Sequence, residues 1–157
     1  MACSTELWFG RRRGDDRAPE AAVDDVAARG VGRPHLVLVV DDYEDTRLLY
    51  AENLREAGFR IVEASNGDEA FVKAVELLPD AIVMDLSMPN VDGWEATRRV
   101  RSHPELRDVY ILALSALEGD ESRSMAFDVG CDDFAAKPLL PASLAEILRV
   151  RLAARSR

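Results

Sequence analysis

Residues 80–93 read DAIVMDLSMPNVDG, a short apolar run that ends in a carboxylate and then breaks into turn residues. Residues 81–84 are continuously apolar, which is typical of a strand buried on both faces of a parallel sheet. Open α/β sheets bind ligands outside the carboxyl ends of their strands, so Asp85 lies where a catalytic or metal-binding carboxylate is expected. On this stretch alone, an aspartate that only caps a turn explains the pattern equally well.

On both sides of this stretch the chain alternates between strand and helix patterns. Short apolar runs predict four more strands, at 36–40, 60–64, 109–114 and 133–136. Amphipathic periods and capping residues predict five helices. They lie at 44–57, between Gly67 and Pro79, after Asp92 to about Arg101, at 118–129, and from a first turn that holds Pro141. Because the connections are short, this alternation predicts an α/β fold whose parallel sheet is covered by helices on both faces.

Single residues refine these helices. Gly58 and Gly130 are predicted helix stops, and Asp92 is a predicted cap of the third helix. In the first helix, Leu49, Tyr50, Leu54 and Ala57 are predicted to lie on one helical face.

Composition limits the classes of function. A chain of 157 residues fits one domain of ordinary size. Residues 1–34 contain six arginines and six acidic residues, so the net charge of −9 belongs to residues 35–157, which argues against direct nucleic-acid binding. Cys3 and Cys131 match neither a disulfide framework nor a metal-ligand spacing, which favours a reducing cytoplasm. The apolar runs are too short to span a membrane.

Residues 1–34 differ from the rest of the chain. Glycine, proline, alanine and charged residues dominate them, and we expect a flexible, disordered N-terminal extension before a folded domain at 35–157. The alternative is a short partner-binding segment, because residues 7–9 read LWF and three arginines follow at 11–13.

Polar residues follow four of the five predicted strands. They are Asp41 and Asp42 after the first strand, Asp85 after the third, Ser115 after the fourth and Lys137 after the fifth. The carboxyl ends of parallel strands meet at one edge of the sheet, so these side chains are expected to share one pocket.

Three clustered carboxylates repel one another unless a cation joins them, and their hard oxygen ligands favour Mg²⁺. Mg²⁺ commonly completes its coordination with phosphoryl oxygens, and an ammonium group such as that of Lys137 can neutralise another such oxygen. Asp85 ends the central strand and is the best-placed nucleophile, and its attack on phosphorus would form an acyl phosphate.

Four motifs resemble the bacterial response-regulator receiver family (CheY-like) of two-component systems. They are DDYED at 41–45, VMDLSMPNVDG at 83–93, LALSA at 112–116 and DDFAAKPL at 132–139. The resemblance spans about residues 35–155 and implies a flavodoxin-like doubly wound sheet of five parallel strands in the order 2-1-3-4-5, with five helices.

The resemblance also implies roles for the polar residues. Asp85 is similar to the residue that accepts a phosphoryl group from a sensor histidine kinase or a histidine phosphotransfer protein. Asp42, Asp85 and the backbone carbonyl of Ser87 are expected to bind Mg²⁺, with Asp41 acting largely through water. Lys137 is expected to pair with the phosphoryl group, and its peptide bond to Pro138 is expected to be cis as in relatives.

Signal output is expected to follow from a biased two-state equilibrium. Ser115 occupies the position of the switch hydroxyl and Phe134 that of the switch aromatic, with core packing as the alternative for Phe134. The fourth helix, fifth strand and fifth helix are the expected output surface, and the first helix, with Leu48 and Leu49, is the expected docking surface for the phosphodonor.

The chain ends directly after the fifth helix, so we expect a single-domain regulator that acts through an output partner that the sequence does not identify. It is expected to be cytoplasmic, to bind neither nucleic acid nor membrane directly, and to be a monomer or a phosphorylation-dependent homodimer. It is not expected to be an enzyme beyond its own phosphorylation and dephosphorylation. Two alternatives stay open: a pseudo-receiver that serves only as an interaction module, and a stand-alone Mg²⁺-dependent phosphohydrolase. The hydrolase reading is weakened because Ser87 stands where dehalogenase-type phosphatases have a second aspartate.

Overall fold

The structure is a computed structural model, and it describes residues 33–89, 93–117 and 119–155. Nearly all of the predicted N-terminal extension, residues 1–32, lies outside the described residues. The same holds for Asp92, the predicted helix cap, and for Glu118, the predicted first residue of the fourth helix.

Five parallel strands form one sheet in the order β2-β1-β3-β4-β5. The strands are β1 (Leu36–Val40), β2 (Arg60–Ala64), β3 (Ala81–Asp85), β4 (Tyr110–Ser115) and β5 (Asp133–Ala136). The helices are α1 (Glu44–Glu56), α2 (Gly67–Leu77), α3 (Gly93–Ser102), α4 (Asp120–Asp128) and α5 (Pro141–Arg155). This architecture confirms the predicted fold class and strand order.

Two apolar cores lie on opposite faces of the sheet, because alternate residues of each strand point to opposite sides. Leu38, Ile82 and Ile111 face one core, which also contains buried residues of α2, α3 and α4. Their strand neighbours face the other core, which contains buried residues of α1 and α5. Residues of β3 are buried throughout, as expected for a central strand covered on both faces.

Helix ends follow the predicted stop signals at two positions. Gly58 and Gly130 have φ angles of +96° and +107°, a left-handed conformation that glycine adopts without strain. Helix α2 ends differently, because Leu78, just before Pro79, takes the left-handed conformation with φ of 46°. A short 3₁₀ helix at Pro104–Leu106, which the sequence patterns did not predict, leads into β4.

The predicted apolar face of α1 is not buried throughout. Leu49 is 50% exposed, whereas Tyr50, Ala51 and Leu54 form the buried face of α1. Successive helical residues differ by about 100°, and Leu49 lies on the solvent side of Tyr50. Within residues 33–89, 93–117 and 119–155, no helix is long and apolar enough to cross a membrane.

Candidate functional site

Three carboxylates meet at the carboxyl edge of the sheet. Asp85 is the last residue of β3, while Asp41 and Asp42 directly follow β1. One carboxylate oxygen from each of the three lies within 4.8 Å of the others. Asp41 and Asp85 are 1% and 3% exposed, and Asp42 is exposed. The strands β1 and β3 are neighbours in the sheet, which brings these ends together as predicted.

Lys137 joins two of these carboxylates. Its Nζ donates to Asp41 Oδ2 at 2.7 Å and to Asp85 Oδ2 at 3.0 Å. The Lys137 amide donates to the Ser115 carbonyl, so the sheet ladder holds the lysine at the end of β5. The Lys137–Pro138 peptide bond is cis, as the family resemblance implied.

The pocket carries excess negative charge. Burial raises the pKa of Asp85, although hydrogen bonds from the Ser87 amide and from Lys137 act to lower it. Burial alone would lower the pKa of Lys137, but its hydrogen bonds to Asp41 and Asp85 outweigh burial and raise it. Lys137 therefore keeps its proton more tightly than a free lysine does, because its ammonium faces two carboxylates.

This donor set fits a divalent cation. Carboxylate oxygens are the hard ligands that Mg²⁺ prefers, and a second cation would offset the charge that Lys137 leaves uncompensated. The exposure of Asp42 keeps one side of the cluster open to water, which Mg²⁺ usually retains in its coordination shell.

Two serines lie beside the carboxylates on neighbouring loops. The Ser87 amide donates to Asp85 Oδ1 at 2.8 Å. The Ser87 Oγ accepts a hydrogen bond from the Ala116 amide at 3.2 Å and lies 3.5 Å from Ser115 Oγ. Ser115 is fully buried at the end of β4, and its Oγ accepts from the Leu117 amide at 3.0 Å. Ser115 Oγ therefore lies beside Ser87, whose amide contacts Asp85, and the predicted role of Ser115 as the switch hydroxyl stays a prediction.

Phe134 lies outside the carboxylate cluster. It pairs with Ala113 in the register of β4 and β5, two positions before the pair of Ser115 with Ala136. Its side chain is partly buried and packs against the core that contains α2, α3 and α4. The predicted role of Phe134 as a switch aromatic stays a prediction.

Two further residues position the site, and sequence patterns did not assign them to it. Arg47 donates from its guanidinium to the Asp41 carbonyl at 2.9 Å, and its Nε lies 3.5 Å from a Glu63 carboxylate oxygen. The Tyr50 hydroxyl, predicted only as part of the core face, donates to the Leu139 carbonyl at 3.0 Å. Both contacts join residues to a distant backbone carbonyl, which helical periodicity cannot reveal.

Comparison with known proteins identifies relatives of this arrangement. A family model described as "Response regulator receiver domain" matches residues 37–149. The transcriptional regulatory protein ResD of Bacillus subtilis is 38% identical over 115 residues, which cover 73% of this chain and 46% of ResD. The transcriptional regulatory protein PrrA of Mycobacterium leprae is 38% identical over 128 residues, which cover 82% of this chain and 53% of PrrA. The chain therefore spans about half the length of these curated relatives.

Among solved structures, the chemotaxis protein CheY4 of Vibrio cholerae is similar, with a TM-score of 0.71 and 30% sequence identity. The alignment covers 74% of this chain and 98% of CheY4. The similar part is thus the unit formed by the five strands and five helices.

Proposed function

The chain belongs to the response regulator receiver domain family, which acts in phosphorelay signalling, and we propose that Asp85 is its Mg²⁺-dependent phosphoryl acceptor. One observation carries the proposal: Lys137 contacts both Asp41 and Asp85 within a cluster of three carboxylates. A purely structural ion pair needs one carboxylate for one ammonium. The surplus carboxylates are the oxygen ligands that a phosphoryl-transfer site requires.

The chemistry is the transfer of a phosphoryl group from a phosphohistidine. An Asp85 carboxylate oxygen forms the new bond to phosphorus, the bond from phosphorus to the imidazole nitrogen breaks, and its electron pair stays on that nitrogen. Lys137 exchanges part of its contact with Asp85 for a phosphoryl oxygen. Asp42, Asp85 and the Ser87 carbonyl would hold Mg²⁺, with Asp41 acting through water. The bound ion would neutralise charge on the phosphoryl group.

The proposed partners follow from the surfaces around this edge. The phosphodonor is a sensor histidine kinase or a histidine phosphotransfer protein in the cytoplasm. It docks on α1, where Leu48 and Leu49 are 38% and 50% exposed. The output partner binds the surface of α4, β5 and α5, where Met125 and Phe127 are exposed apolar side chains. The chain is a monomer or a phosphorylation-dependent homodimer, and in the homodimer this surface would form the contact between the two copies.

The proposed switch couples the two surfaces. New phosphoryl oxygens on Asp85 attract the Ser115 hydroxyl, and Phe134 moves into the space that this leaves. Phe134 is partly buried and packs against the core that contains α2, α3 and α4, so its movement would reach the output surface through that packing. Phosphorylation then shifts an existing equilibrium between two arrangements of the output surface.

The test is incubation of the protein with Mg²⁺ and acetyl phosphate or phosphoramidate, followed by intact mass measurement. We expect a single phosphoryl adduct on the wild type and none on Asp85→Asn. Asp108→Asn is the matched control, because Asp108 is an exposed aspartate just before β4, at the amino edge of the sheet. An unmodified wild type, under conditions that phosphorylate a known receiver, would instead favour an interaction module. Rapid turnover of phosphate esters would favour a hydrolase.

A further inference from the structure

Ser87 makes three contacts that join the two loops beside the acceptor aspartate. Its amide donates to Asp85 Oδ1 at 2.8 Å, within the loop that follows β3. Its hydroxyl reaches across to the loop that follows β4, where it accepts from the Ala116 amide at 3.2 Å and lies 3.5 Å from Ser115 Oγ. One side chain therefore contacts both a backbone amide and a hydroxyl group of the neighbouring loop.

These two donors are the ones that a modified Asp85 would need. A phosphoryl group brings oxygens that only accept hydrogen bonds, and it extends outward from the end of β3. Lys137 already serves two carboxylates, and the Ser87 amide already serves Asp85. The Ser115 hydroxyl and the Ala116 amide lie at the end of β4, the strand next to β3, and both contact the hydroxyl of Ser87, two residues after Asp85.

We propose that the Ser87 hydroxyl is a latch that holds Ser115 and Ala116 in the resting arrangement and competes with the phosphoryl group for them. The proposal rests on the proposed function, since it assumes that Asp85 carries the phosphoryl group. Ser87 is a positioning residue in this role, distinct from the metal contact of its carbonyl. The latch makes the resting state more stable, so phosphorylation must break its hydrogen bonds before the loop after β4 can move.

Ser87 suits a test by substitution because it is exposed, and removal of its hydroxyl leaves both apolar cores intact. The probe is beryllofluoride, a phosphoryl mimic, titrated into the full chain at saturating Mg²⁺ and followed by ¹⁵N NMR. Loss of one neutral hydrogen bond corresponds to about a three- to tenfold change in equilibrium, so we expect Ser87→Ala to bind beryllofluoride about three- to tenfold more tightly than the wild type. Ser87→Thr restores the hydroxyl and is expected to bind more weakly than Ser87→Ala.

The resting protein gives a second readout that does not depend on binding. Without beryllofluoride, the amide proton of Ala116 is expected to shift upfield in Ser87→Ala, because it loses its acceptor, and to return toward the wild-type position in Ser87→Thr. Equal or weaker beryllofluoride binding by Ser87→Ala would overturn the latch while leaving the acceptor role of Asp85 intact. A wild type that takes up no beryllofluoride would overturn both.

Discussion

At the scale of single residues, Glu69 has more hydrogen bonds than is usual for a surface glutamate. Its carboxylate accepts from the Ser65 amide at 2.7 Å, from the Ser65 hydroxyl at 2.8 Å and from Lys73 Nζ at 2.6 Å. The Glu69 amide donates to the side chain of Asn66, the N-cap of α2. Glu69 thus binds the N-cap through its amide and the preceding residue, Ser65, through its carboxylate, and both contacts hold the first turn of the helix. The hydrogen bond from Lys73, followed by that from the Ser65 amide, lowers the pKa of Glu69 to about 2.

We predict that Glu69→Gln lowers the free energy of unfolding by about 1 kcal/mol at pH 7, the usual value of a helix cap. Because the pKa is lower in the folded protein, the stabilisation is fully present above the ordinary value of 4.5 and is lost as the pH falls toward about 2. Urea unfolding at pH 7 and at pH 3 measures the difference. Glu76→Gln, an exposed glutamate of the same helix, is the control. A difference from wild type that stays constant between these pH values would contradict the prediction.

At the scale of elements, helix α3 begins in contact with the backbone of the candidate site. A Cβ atom on Gly93 would lie 2.0 Å from the carbonyl oxygen of Asp85 and 2.9 Å from Leu86 Cα. Both neighbours are backbone atoms, so no change of rotamer relieves the overlap. Only glycine allows α3 to start this close to the end of β3.

We therefore predict that Gly93→Ala destabilises the fold by about 3 kcal/mol and lowers the yield of the phosphoryl adduct, because α3 or the end of β3 must move. Gly58→Ala is the matched control. A Cβ atom at Gly58 meets open space, so its cost comes only from the φ angle of +96°. Urea unfolding and intact mass after acetyl phosphate measure the two effects. If Gly93→Ala costs no more than Gly58→Ala, the close approach has no energetic consequence.

The predicted elements agree with the structure where local signals set their limits. Apolar runs end at polar residues, which is why the first and second strands were predicted at their observed limits. The fourth strand was predicted one residue too early, at 109–114 instead of Tyr110–Ser115. Ser115 is polar and was taken as the residue after the strand, but its backbone still pairs with Ala136 in β5. Leu49 was grouped with Tyr50 and Leu54 on one helical face, although it is half exposed, because amphipathicity identifies apolar residues but not the angle at which a helix meets the sheet.

Some features of the candidate site could be predicted from the sequence, and others depend on how distant elements pack. Asp41, Asp85 and Lys137 could be predicted to meet because strand ends share an edge, and Ser115 contacts Ser87 at that edge. Arg47 could not be assigned, since its bond to the Asp41 carbonyl depends on how α1 lies against β2. The nearness of Gly93 to Asp85 was likewise inaccessible, because it depends on the path of the intervening loop.

At the scale of the whole molecule, the pairing of positive and negative groups differs between the amino and carboxyl edges of the sheet. At the amino edge, Arg101 donates to the carbonyls of Val109 and Gly130 at 2.7 and 2.6 Å and to the Asp132 carboxylate at 2.6 Å. Arg155 pairs with the same carboxylate at 3.2 Å. Cations and acceptors are therefore matched there. At the carboxyl edge, by contrast, three carboxylates lie within 4.8 Å of one another, and Lys137 pairs with two of them, Asp41 and Asp85.

This asymmetry predicts that Mg²⁺ stabilises the wild type and that the increment depends on the carboxyl edge. At about 100 times its dissociation constant, a ligand that binds only the native state adds about 2.7 kcal/mol to the free energy of unfolding. We expect Asp42→Asn to lose most of this increment and to be more stable than the wild type in chelator, because it removes one of the repelling carboxylates. Thermal unfolding followed by circular dichroism, in chelator and in Mg²⁺, measures both effects. Asp108→Asn, at the amino edge, should respond to Mg²⁺ as the wild type does. Equal Mg²⁺ increments in the wild type and Asp42→Asn would show that the ion acts elsewhere on the surface.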